Sequence, residues 1–82
     1  MSALELLLQE AYKTRGFMHL SAIRALRQYI NQLTEDELIT AIDKLNDLEI
    51  MRTLVEAGLK ARPLAALVRR QEELTKRMAG EI

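Results

Sequence analysis

Apolar residues recur along this chain at helical spacing. Leu4, Leu7, Leu8 and Ala11 form one stripe, Ile23, Leu26, Ile30 and Leu33 a second, and Leu64, Leu67, Val68, Leu74 and Met78 another. Steps of three and four residues place each set on one face of a helix. Between the second and last stripes, Leu38, Ile42, Leu45, Leu48, Met51 and Val55 continue the pattern almost without a break. Polar punctuation divides it. Ser2 with Glu5 and Thr34 with Glu37 have the spacing of capping boxes, and Asn46 with Glu49 is a looser version. Pro63 suits the first position of a helix, and Gly16, Gly58 and Gly80 stand where helices should stop. The spacing predicts helices over Ala3–Arg15, Ala22–Gln32, Glu35–Leu45, Asp47–Ala57 and Pro63–Ala79. The third and fourth could also be one bent helix.

The predicted fold class is all-α, a compact bundle of four to five short helices in a single domain spanning residues 1–82. Composition agrees. Nearly half of the 82 residues are apolar, and there are only three glycines and one proline. The alternative is a winged helix-turn-helix, with Ile50–Glu56 as a strand and a small wing within residues 50–68. Pro63 and the alanines around it make the required partner strand poor, so helix is preferred.

Chemistry narrows the function classes. The chain has no cysteine and a single histidine, His19, which is expected in a loop against Met18 and Leu20. No structural zinc set can be assembled from that inventory. Ser2 and Ser21 sit at helix starts, outside any nucleophile elbow, and no glycine-rich phosphate loop occurs. The triplet Glu35-Asp36-Glu37 is expected to favour the positive end of a helix rather than a cation. Tyr12 and Tyr29 are expected at the edge of the core. The expectation is therefore a protein that is not an enzyme, needs no cofactor or metal, and acts in the cytoplasm. No apolar run approaches the roughly 18 residues of a membrane span, so no membrane partner is expected.

Twelve basic and twelve acidic residues give no net charge, but the signs are blocked. Lys13, Arg15, Arg24 and Arg27 form a stretch without an acid, and six acids then accompany one lysine from Glu35 to Glu49. In the last helix, Arg69–Glu73, Glu72–Lys76 and Glu73–Arg77 have i,i+4 pairing distance.

Two resemblances arise from particular residues. Gly16-Phe-Met-His-Leu-Ser-Ala-Ile-Arg-Ala-Leu followed by Leu33-Thr-Glu-Asp-Glu-Leu-Ile-Thr-Ala-Ile-Asp-Lys-Leu resembles helices 2 and 3 of a winged helix-turn-helix, over about half the chain. That likeness implies DNA binding. It departs from the family where the recognition helix would present Glu35, Asp36, Glu37 and Asp43 to phosphates. Asp47-Leu-Glu-Ile-Met-Arg-Thr-Leu-Val-Glu-Ala-Gly-Leu-Lys-Ala-Arg-Pro-Leu-Ala-Ala-Leu is similar to the non-catalytic helix-hairpin tail of recombination-promoting nucleases and transposases. No nuclease motif accompanies it.

The functional expectation is a protein–protein interaction, assembly or regulatory module, forming a homodimer, engaging another protein, or both. The interface is expected at Leu6 and Ile50, which fall off the principal stripes, and at Leu54, which widens the stripe of the fourth helix. The second expectation is a helix-turn-helix regulator contacting nucleic acid through Arg24, Arg27, Arg69 and Arg70. Neutral net charge and the acidic third helix disfavour it. A small-ligand binder with a Leu/Met-lined cavity is a third class, with no feature in its favour.

Overall fold

A computed structural model describes residues 2–80. It contains five helices: α1 (Ala3–Lys13), α2 (Gly16–Asn31), α3 (Glu35–Asp43), α4 (Leu48–Glu56) and α5 (Ala61–Gly80). There is no strand among the described residues, so the wing considered at 50–68 does not form. Helix α4 and the start of α5 occupy that stretch.

Helix α4 is the hub. It packs against α1 on one side and α5 on the other, while α2 packs on α1 and α3 on α5. One core cluster joins all five helices through Leu4, Leu8, Leu26, Ile42, Met51 and Leu67, among others. The double contact explains why α4 buries a wide arc, comprising Ile50, Met51, Thr53 and Leu54. A helix flanked on two sides buries a wider arc than one flanked on a single side. Ile50 and Leu54, expected at an intermolecular interface, are therefore core residues, with 4% and 0% of their surface exposed. Val55, expected in the stripe, points outward. Of the three expected interface residues only Leu6 is exposed.

Caps set most boundaries. The Ser2 side chain accepts from the Glu5 N–H at 3.2 Å. At α3 the box closes both ways: the Glu37 N–H donates to Thr34 Oγ1 at 3.1 Å, and the Thr34 N–H to Glu37 Oε1 at 2.9 Å. Thr34, first through its backbone N–H and then through its side chain, holds the Glu37 carboxyl below the usual carboxylate range. The fourth helix is capped by Asp47, one residue beyond the expected Asn46, with Asp47 Oδ1 accepting from the Glu49 N–H at 2.9 Å. Helices α3 and α4 are separate.

The long helix α5 begins two residues before Pro63, which lies in the first turn where an N–H has no partner to lose. Its buried line is Pro63, Ala66, Leu67, Arg70 and Leu74. The expected stripe members Leu64, Val68 and Met78 are exposed. The line includes Arg70. Arg70 Nε donates to the Leu45 carbonyl at 2.8 Å, one Nη to Asn46 Oδ1 at 2.9 Å and the other to Glu73 Oε2 at 3.1 Å. Arg69 reaches Asp43 at 3.8 Å. None of the three expected i,i+4 pairs of this helix closes among the described residues.

The largest departure from expectation is at α2, which starts at Gly16 rather than Ala22. Gly16 has φ +60° and turns the chain in a conformation that costs other residues energy. It begins a helix rather than following one. His19 is consequently helical, in line with Ile23, Leu26 and Ile30, and not in a loop.

Candidate interaction surface on the second helix

The first turn of α2 has an unusual support. Its N-cap, Arg15, makes no side-chain capping bond, and the turn contains no acid. His19 fixes it instead. The ring lies between α1 and α4, with Nδ1 2.7 Å from the Ala11 carbonyl oxygen and Nε2 2.5 Å from Glu56 Oε2. Both neighbours are acceptors, so both ring nitrogens donate when the ring is the imidazolium and Glu56 is ionised. The Glu56 carboxylate, and after it the Ala11 carbonyl, raise the His19 pKa above 6.5.

Around this contact runs a polar seam. The Tyr12 hydroxyl donates to Glu49 Oε2 at 3.0 Å, and that carboxylate raises the phenol pKa. Arg27 Nε donates to the Ala57 carbonyl at 3.0 Å. Thr14 Oγ1 donates to the Glu10 and Ala11 carbonyls at the end of α1. The shallow cleft beside His19 is lined also by Arg52 and Thr53. In this arrangement His19 has no nitrogen free for a substrate, and Tyr12 is held protonated. The seam joins α1, α2 and α4.

The rest of the same turn exposes apolar side chains. Phe17 is 84% exposed, Met18 64% and Leu20 67%. At about 100° per residue, Phe17 points almost directly away from the line His19, Ile23, Leu26, Ile30. Leu20 and Arg24 share its side of the helix. Met18 lies one step round. Helix α2 contains no acidic residue, and Lys13, Arg15 and Arg24 form no ion pair among the described residues. Five acids elsewhere are held in ion pairs. Arg62 holds Glu35 and Asp36 at 3.1 and 3.2 Å, Arg69 holds Asp43, Arg70 holds Glu73 and His19 holds Glu56. Lys13 and Arg15 just before α2 and Arg24 within it thus accompany these apolar side chains along the chain as cations unpaired among the described residues.

The residues expected to contact nucleic acid do not come together as a patch. Arg70 is 9% exposed and bonded on three sides, Arg69 faces Asp43, and Arg27 is tied to Ala57. Only Arg24 has no hydrogen bond or ion pair. The acidic triplet is divided between Arg62 and the α3 cap, and no group of three or more metal-ligating side chains occurs among the described residues. Tyr29 packs partly buried against the core, whereas Tyr12 is half exposed.

Phe17, Met18 and Leu20 were not among the expected site residues. A loop in this position would have hidden their significance. The available signal was Ile23 extended backwards by four to His19, which continues the stripe and turns its bulky neighbours outward.

Compared with protein-family models, curated proteins and solved structures, the chain matches none. No described helix is long and apolar enough to cross a membrane.

Proposed function

We propose that this chain is a non-catalytic protein–protein interaction module, an adaptor or regulatory part, that docks a partner protein on the outer face of the first half of α2. The observation that carries this reading is the exposure of Phe17, Met18 and Leu20 within four residues of one helix. Single exposed apolar side chains such as Leu6 or Met78 are ordinary on a protein surface. Three large ones within a single helical turn are not, and exposed apolar surface of that kind marks interaction sites. Burying each against a partner contributes about 1.5–3 kcal/mol. Together they are sufficient anchors for a specific contact, in the manner of a few central apolar residues within a polar rim.

The support beneath them fits the same reading. His19 and Arg27 tie α2 to α4 and to the end of α1, so the face is presented on a fixed helix. A rigid platform reduces the ordering cost of association.

The experiment is site-specific photo-crosslinking with a reactive amino acid at position 17, and separately at position 68 on α5. Any captured protein is then purified and recombined with the full chain. A defined protein captured from position 17 but not 68, and binding again when purified, supports the module. Capture of a second copy through position 17 supports self-association by this face instead. Absence of any specific adduct at position 17 overturns the reading.

A further inference from the structure

Resting on that docking reading, we propose that the occupant of the α2 face is an amphipathic helix of another protein, apolar along one stripe and acidic beside it. Shape supplies the first argument. Phe17, Leu20 and Arg24 stand at i, i+3 and i+7, within about 60° of arc, and so form a ridge along α2. Such a ridge fits the groove between side-chain rows of another helix.

Charge supplies the second. Arg24 stands in the ridge and Lys13 and Arg15 lie in the chain just before it, none in an ion pair among the described residues, and α2 carries no acid to repel a carboxylate. Acidic side chains beside the apolar stripe of a partner would meet these cations at the rim. There they set orientation and association rate.

A second copy of this chain fits less well. Pairing α2 with α2 brings these cations together with their copies. The acidic helix α3 of another copy offers few unengaged carboxylates, because Arg62 and Arg69 already hold Glu35, Asp36 and Asp43. Nucleic acid would meet the cations but leave Phe17 and Leu20 without a counterpart. An anionic bilayer would satisfy both, but three cations and three apolar side chains give only weak, reversible attachment.

The test uses the full chain and a fluorescent synthetic helical peptide of about four turns, with Leu at i, i+3, i+4 and i+7 and Glu beside them. A counterpart carries Lys for each Glu. Vesicles containing phosphatidylserine and a random DNA duplex are run alongside. Binding of the Glu peptide is expected, with amide shifts concentrated at Phe17, Leu20 and Arg24. Affinity should fall at least about tenfold between roughly 50 and 500 mM salt, as rim charges are screened. The R15E/R24E variant should lose this binding, and the Lys peptide should not bind. Equal binding of the two peptides, or binding of neither, overturns the acidic partner. The docking reading survives that failure if position 17 still crosslinks to a defined protein. Binding to vesicles or duplex tighter than to the Glu peptide, and lost in F17S/L20S, overturns the proposal in favour of that surface.

Discussion

Arg70 donates from Nε to the carbonyl oxygen of Leu45 at 2.8 Å, and this bond joins the middle of the longest helix to the break between α3 and α4. Leu45 is fully buried, so its carbonyl has no solvent to replace the guanidinium. The same side chain also holds Asn46 Oδ1. A charged residue in the buried line of α5 thereby satisfies a buried carbonyl of the linker between α3 and α4.

Arg70→Met keeps much of the volume and removes the donors. An orphaned buried acceptor costs about 1–3 kcal/mol. The variant should melt at least about 5 °C lower, given roughly 4–8 °C per kcal/mol for a domain of this size. Arg69→Met, which loses only an exposed 3.8 Å pair, should stay within about 0.5 kcal/mol of the parent. Thermal denaturation followed by circular dichroism separates the two. Equal losses would contradict this assignment of Arg70.

The same comparison applies to the residues expected at an interface. Ile50→Ala and Leu54→Ala should each cost about 2–5 kcal/mol, because both delete packed core volume. Leu6→Lys, at a position 54% exposed, should change stability by less than about 0.5 kcal/mol. Denaturant midpoints measure this directly. A neutral Ile50→Ala would return that residue to the surface.

Why Ile50 and Leu54 were misplaced is a matter of topology. The fourth helix has a wide apolar arc, which was legible, although Glu49, Arg52 and Glu56 keep its other side polar and exposed. What covers the second side is α5 or a second chain, and periodicity alone does not distinguish them. The element count, the caps at Ser2 and Thr34, and the separate last helix were all readable from local rules. The start of α2 was not. Among the four bulky residues Phe17, Met18, His19 and Leu20 the period shows only if His19 is joined to Ile23 four residues on, and the contacts of His19 with Ala11 and Glu56 place it inward. Those contacts cross between elements, beyond the reach of a local pattern.

Gly16 makes that turn possible. No heavy atom lies within 4 Å of a methyl group built at Gly16 or at Gly58, so substitution there meets no packing obstacle. The backbone alone resists, with φ at +60° and +80°. Gly16→Ala should destabilise by about 1–2 kcal/mol, and Gly16→Asn by less, since Asn enters the left-handed region more readily. An Ala variant as stable as the parent by thermal melting would show that α2 does not begin at Gly16.

His19 makes stability depend on pH. Its pKa is raised in the folded chain, so the folded state binds the proton more tightly than the unfolded one. That contribution is complete below the unfolded value near 6.5 and disappears as pH rises through the higher folded value. The melting temperature should therefore decline across that interval, and His19→Gln should flatten the decline. The imidazole titration, followed by nuclear magnetic resonance, should have its midpoint above 6.5. A midpoint at or below 6.5 would dissolve the His19–Glu56 contact as described.

The central claim is that Phe17 and Leu20 serve association and not folding. The direct measurement is made on F17S/L20S: its melting temperature, and its affinity for the protein captured from position 17. Both side chains lie outside the core, so the melting temperature should stay within about 3 °C of the parent, while partner binding is lost. A fall of about 10 °C would mean that the residues hold the fold together, and undiminished binding would mean that the partner docks elsewhere; either result contradicts the claim.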